Sequence, residues 1–206
     1  YEMLRSLVGL GDVYKRQLSV SRQLTAAIAK RLTQAAPGTE TIHHDLSAEP
    51  IGHLSSAEFL AFQGVEPQDD VAKRAVARNA RFLDDFLAAD VVVVGAPMYN
   101  FSLPSQLKAW LDRIAVAGKT FRYSESGVEG LAGGKRVIVA STRGGLYGDG
   151  APAAFLDHQE TYLRGFFGFL GIADVTFVRA EGLALGPDSR TAAVDAAVAQ
   201  VEKLVA

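Results

Sequence analysis

Four consecutive valines, Val91–Val94, stand inside the stretch ADVVVVGAPMYNF, and no other feature limits the fold as strongly. A strand with one face in water alternates apolar and polar residues. An unbroken β-branched run needs cover on both faces, which a parallel sheet between two layers of helices provides. Lys135–Ser141 (KRVIVAS) repeats the pattern. Glu40–Leu46 (ETIHHDL) predicts a shorter strand near a sheet edge, and Val175–Arg179 (VTFVR) predicts a last one.

Between these segments the apolar spacing is helical. Ser19 to about Pro37 carries Leu24, Ala27, Ile28 and Leu32; Asp69–Ala89 carries Val71, Val76, Phe82, Leu83 and Phe86. Pro104–Ala117 has its proline near the first turn, where no amide hydrogen is needed. Ala153–Leu170 and Arg190–Val205 complete the set. Strands alternating with helices predict right-handed parallel crossovers. The fold class is therefore α/β: a three-layer doubly wound parallel sheet, flavodoxin-like, with strand order 2-1-3-4-5. That order requires a first, central strand before Leu18.

At 206 residues, with 49% apolar and 21% charged side chains, the chain fits one domain with a sizeable core. A formal charge of -2 argues against general attraction to nucleic acid or anionic membrane. No apolar run reaches the roughly 18 residues that span a bilayer. The chain contains no cysteine, which excludes disulfides, thiol catalysis and thiolate metal sites. A cytoplasmic location is expected.

In doubly wound sheets ligands bind beyond the carboxyl ends of the strands, where the strand order reverses. Three segments fall there. Ser19-Val20-Ser21 opens a helix; it offers simple capping, or hydroxyls and free amides for a phosphate dianion. GxGxxG and GxxxxGK[ST] are both missing, which disfavours a Rossmann dinucleotide site or a nucleotide hydrolase. Met98-Tyr99-Asn100-Phe101 follows the strand-ending Pro97; its aromatics either pack on the next helix or wall a flat conjugated ring. Thr142-Arg143-Gly144-Gly145 follows the second buried strand. Its paired glycines permit positive φ or close backbone approach to a ligand, and donors here suit negative charge on a reduced flavin. The histidines fit no metal spacing, no metal site is expected, and no Ser-His-Asp triad or GxSxG elbow occurs.

APMYNFSLPSQLKAWLDRIAVAGKTFRYSESGVEGL, then STRGG and GFLGIADVTFVRAEGL, closely resembles the FMN-dependent NADH-azoreductase family of bacterial azo-dye and quinone reductases. The resemblance runs from Ser19 to the C-terminus. It implies a homodimer with one FMN per subunit near the dimer interface, and NADH or NADPH as electron donor. Carried over, Ser19, Val20 and Ser21 meet the phosphate, and Met98, Tyr99, Asn100 and Phe101 line the ring. Thr142, Arg143, Gly144 and Gly145 close around its pyrimidine end, with Thr142 where many relatives have serine. Phe121, in KTFRY, resembles a residue at the substrate face. The implied chemistry is a ping-pong, two-electron reduction of quinones or azo compounds, with no side chain required as a general acid or base. A flavodoxin-type electron carrier is the alternative, and a flavin-free interaction domain a third reading.

The family also has a strand and a Ser/Gly-rich loop before the first helix, and here the chain departs. Asp12–Gln17 (DVYKRQ) is the translation of GAT GTG TAT AAG AGA CAG, similar to a transposon end used in sequencing-library adapters. Residues 1–17 are expected to be a non-native leader replacing the first strand, and residues 18–206 a single FMN-binding domain.

Overall fold

The computed structural model describes residues 19–204 and the backbone of residues 5–10. In chain order the elements are β1 (Arg5–Leu10), α1 (Val20–Ala35), β2 (Glu40–Asp45), α2 (Ser56–Phe62), α3 (Asp70–Ala88), β3 (Val91–Pro97), α4 (Ser105–Ile114), β4 (Phe121–Ser124), β5 (Gly127–Gly130), β6 (Arg136–Thr142), α5 (His158–Phe169), β7 (Asp174–Ala180) and α6 (Pro187–Glu202). Five strands make one parallel sheet in the order β2-β1-β3-β6-β7, which is 2-1-3-4-5 when only its own strands are numbered. The antiparallel hairpin β4–β5 stands apart from it.

The first, central strand that the order requires is supplied from within the segment expected to be a non-native replacement. The backbone of Arg5–Leu10 fills the central position, with Leu7 level with Ile42 of β2 and Val92 of β3. The reason is that β2 and β3 each present a row of peptide donors and acceptors, and pairing with these rows makes few demands on side-chain type. The remainder of the expected leader, residues 1–4 and 11–17, lies outside the described residues.

The valine run is covered on both sides. Val92 and Val94 pack with Phe82 and Phe86 of α3, Trp110 of α4 and Phe167 of α5. Val91 and Val93 point the other way, into Leu24 and Ile28 of α1 and Ala197 and Val201 of α6. Burial of each valine contributes about 1.5–3 kcal/mol. Among the described residues no helix is long and apolar enough to cross a membrane.

A buried polar network fastens α2, which the apolar periodicity does not reveal. Arg113 of α4 donates to Glu58 Oε1 (2.8 Å), to Asn79 Oδ1 (2.8 Å) and to the Gly52 carbonyl (3.0 Å). Asn79 Nδ2 donates to the same Glu58 oxygen at 3.0 Å, and Glu58 also closes a capping box with Ser55. Burial pushes the Glu58 carboxyl up, but the Ser55 amide and hydroxyl, Asn79 and Arg113 outweigh it and bring the pKa from 4.5 to about 2. A carboxyl with a depressed folded-state pKa stabilises fully above its unfolded value and loses that contribution as pH falls through the folded one. Unfolding measurements should therefore show a Glu58-dependent loss of stability between pH 4.5 and about 2. Glu58→Gln should bind about one proton fewer on acid unfolding; an unchanged pH slope would contradict this assignment.

Candidate functional site

The carboxyl ends of β3 and β6 lie side by side because the two strands pair in register to their last residues, Pro97 with Thr142. The ladder continues one step further, as the Met98 amide donates to the Thr142 carbonyl at 2.8 Å. The turns that follow, 98–101 and 142–145, thus leave the sheet together. The strand order reverses between β1 and β3, and α1, which follows β1, packs against β3. These are the three segments that the sequence nominated.

At the start of α1, Ser19 is the N-cap and its side chain accepts from the Arg22 amide. Ser19 and Ser21 hydroxyls are 3.0 Å apart and buried. The Val20 side chain is part of the core, so Val20 can contribute only backbone. The first-turn amides of a helix have no intrahelical acceptor and sit at the positive end of its dipole. Capping is thus what Ser19 does in the fold, and it leaves first-turn amides without an intrahelical partner. Nearby, Arg22 makes a bidentate pair with Asp45 at the end of β2, both contacts at 2.8 Å. That guanidinium holds the Asp45 carboxyl well below the usual carboxylate range, against the effect of burial and with help from Ser47 and the Ala48 amide.

The second segment is a tight turn closed by reciprocal Tyr99–Ser102 backbone hydrogen bonds of 3.0 Å each. Its central residues, Asn100 and Phe101, both have positive φ, 47° and 70°. This is the type I′ signature, in which Asn is common at the first position and Gly at the second. Phe101 stands where glycine is expected, in a conformation that costs roughly 1–2 kcal/mol for an L-residue. The strain holds an aromatic ring 40% exposed at the top of the sheet, and strain of this kind concentrates at ligand-holding sites. Met98 and Tyr99 are half-buried and Asn100 is exposed.

The third segment departs from expectation at Arg143. Its side chain is fully buried and ion-paired to Asp157, Glu160 and Glu181 at 2.8, 2.6 and 3.0 Å. Its amide donates to Ala180 O, and its carbonyl accepts from Leu183. A guanidinium with no exposed surface cannot also meet a bound ring, so direct contact by the Arg143 side chain is corrected to a role inside the protein. Neither Gly144 nor Gly145 uses positive φ. The approach at Gly145 is close: a Cβ there would stand 3.0 Å from the Tyr147 hydroxyl, the far end of a side chain. Tyr147 in turn meets Phe101 edge-on, with ring centres 6.0 Å apart. Leu146, next to Tyr147 in the chain, is also exposed.

Phe121 is not brought to these turns. It packs on Phe169, the last residue of α5, at 4.6 Å between ring centres. The first residue of α5, His158, donates its amide to Phe101 O. The 12-residue helix separates the two ends by about 18 Å. A groove of about 180 Å³, open to solvent and lined by Phe62, Leu83, Val116 and Lys119 among others, lies by α2 and α3, and none of its lining residues belongs to the three segments.

Sequence reasoning missed Tyr147, Gln159, Glu160 and Glu181. Tyr147 lies in GGLYGDG, where an aromatic just beyond paired glycines was a usable signal. Gln159 and Glu160 read only as helix residues, and nothing in the sequence ties Glu181 to Arg143. The donor set suits the chemistry of FMN: first-turn amides and serine hydroxyls for a dianion, aromatic rims for a flat ring, and glycine amides for its polar edge.

The flavodoxin-like fold family matches residues 13–205. An FMN-dependent NADH:quinone oxidoreductase of Methylocella silvestris is 58% identical over 177 residues, covering 85% of this chain and 87% of that one. Another from a Bradyrhizobium species is 52% identical over 201 residues, covering 98% and 96%. Among solved structures, an FMN-dependent NADH-azoreductase of Bacillus anthracis in complex with FMN superposes with a TM-score of 0.86 at 28% identity, covering 98% of this chain and 97% of that one. Replacing Phe101 separates strain from ring. Phe101→Gly and Phe101→Ala both lose the aromatic, but only glycine relaxes the positive φ. Denaturant unfolding should find the glycine variant more stable than the alanine variant by about 1 kcal/mol, and the reverse order would refute the strain.

Proposed function

The chain belongs to the family of FMN-dependent NADH:quinone oxidoreductases with a flavodoxin-like fold, and from that membership we propose that it reduces quinones and azo compounds with electrons from NADH or NADPH. The observation that carries the reading is the convergence of 19–21, 98–101 and 142–145 at the carboxyl edge of one sheet. When bound, FMN supplies a two-electron carrier that takes a hydride from the nicotinamide and passes the electrons on.

The residues of this chain bind and orient. Ser19 and Ser21, with the Val20 and Ser21 amides, hold the phosphate at the positive end of α1. Met98, Tyr99, Asn100 and Phe101 line the ring, and Phe101 and Tyr147 exclude water from one side. Thr142 and the Gly144 and Gly145 amides meet the pyrimidine end, where negative charge develops. No side chain is needed as general acid or base. We further propose that the protein is a cytoplasmic homodimer, with Phe121 at the substrate face, as the resemblance implies.

Purified protein should be yellow, lose colour with NADH and regain it with a quinone, at rates that sustain turnover. Protein that stays colourless after incubation with FMN would overturn the assignment. Flavin-loaded protein that oxidises NADH slowly or not at all would favour the electron-carrier alternative.

Residues 1–17 are proposed to be a foreign leader, a reading that rests on the DVYKRQ match. Exchanging them for the corresponding strand and Ser/Gly-rich loop of a relative should tighten FMN binding at least tenfold, or about 1.4 kcal/mol. Equal affinity would count against the proposal.

A further inference from the structure

Beneath the two ring-side turns, the first turn of α5 makes a continuous set of buried contacts to both. On one side, Gln159 Nε2 donates to the Ala96 carbonyl at 3.1 Å, on the last stretch of β3 before the 98–101 turn. The His158 amide reaches the turn itself, donating to Phe101 O at 3.1 Å. On the other side, the Ser141 hydroxyl donates to Gln159 Oε1 at 3.0 Å, and Arg143 Nε donates to the Ser141 Oγ at 3.1 Å. Gln159 and Arg143 both have essentially no exposed surface.

The guanidinium then reaches outward in two directions. Nη1 meets Glu181 Oε1, which also accepts from the Tyr147 amide at 2.9 Å. Nη2 lies within ion-pair distance of Asp157 and Glu160, with neither aligned for a directional hydrogen bond. Asp157 is the N-cap of α5, accepting from the Gln159 and Glu160 amides. Glu160 is further held by Arg179 at 2.6 Å.

We propose that Gln159 and Arg143 are positioning residues: through the first turn of α5 they fix the 98–101 and 142–147 segments relative to each other and touch nothing that is bound. Resting on the flavin reading above, this gives a specific reason for a fully buried arginine in the third segment. Removing a partner from a buried charge or polar group is costly. A shift of either turn breaks several of those contacts together, so the network allows one spacing of the turns. Ring-side groups held at a fixed spacing bind a rigid flat ligand without paying to order themselves.

The test compares Gln159→Leu and Arg143→Lys with Asn79→Ala, which disturbs the buried Glu58–Arg113 network on α2–α4 and leaves the α5 contacts intact. Amide hydrogen exchange is measured on FMN-free protein, and FMN dissociation constants and visible spectra on loaded protein. In Gln159→Leu, exchange within 98–102 and 142–147 should rise roughly tenfold in both turns, the expectation for losing hydrogen bonds worth about a decade in an equilibrium. The FMN dissociation constant should rise by a similar factor, and the bound-flavin absorption band should move toward that of free FMN. Asn79→Ala should lower the unfolding midpoint while leaving turn exchange, FMN affinity and spectrum within twofold of wild type. If Arg143→Lys does not fold, Gln159→Leu carries the comparison alone. Unchanged exchange in either turn of Gln159→Leu overturns the proposal, as does equal loosening in Asn79→Ala. Loosened turns in a protein whose wild type takes up no FMN would support the positioning role and remove the flavin reading instead.

Discussion

The pairing of β3 with β6 is the constraint on which the rest depends. Both strands are buried on both faces, and their parallel register runs unbroken from Val91–Arg136 to Pro97–Thr142. Because the register ends level, the chain must leave the sheet at neighbouring points, and the Met98–Thr142 hydrogen bond extends the pairing past the last strand residue. The position of the site is thus a consequence of core packing. A one-residue slip would turn every valine of β3 to the other face, so the apolar contacts that stabilise the fold also fix where the two turns meet.

At the site itself the stabilising and functional demands conflict. Phe101 holds a backbone conformation suited to glycine, and Arg143 is buried with three carboxylates close by. Each would be unfavourable alone. The neighbouring Arg179 and the α5 first turn offset the excess of negative charge around Arg143, while the Tyr99–Ser102 bonds and the His158 amide hold the strained turn from both ends. The result is an exposed Phe101 ring set edge-on against the half-buried Tyr147, with exposed Leu146 beside it in the chain.

Much of this was legible in the sequence because period and burial speak directly. The valine run gave the parallel sheet, and helical spacing gave α1, α3, α4, α5 and α6 to within a few residues. Other features were not legible, for physical reasons. The hairpin FRYSESGVEG is almost wholly exposed and carries no apolar period, and α2 is seven residues held by a buried polar network rather than by an apolar stripe. The strand at Arg5–Leu10 has a sequence unlike its neighbours, and its backbone pairs in parallel with both β2 and β3. The three site segments were found from their places after strands. The direction of the Arg143 side chain was not, because it depends on Asp157, Glu160 and Glu181, which come from later in the chain and reveal nothing of their partner in sequence.

The most direct measurement is an amide NMR titration of the full chain with FMN. Saturation at one FMN per chain, with shifts concentrated at Val20, Ser21, Asn100, Phe101, Gly144 and Gly145, is the expected result. Shifts centred instead on the groove lined by Phe62 and Leu83, or no saturable shifts at all, would contradict the claim that these three separated segments form one flavin site.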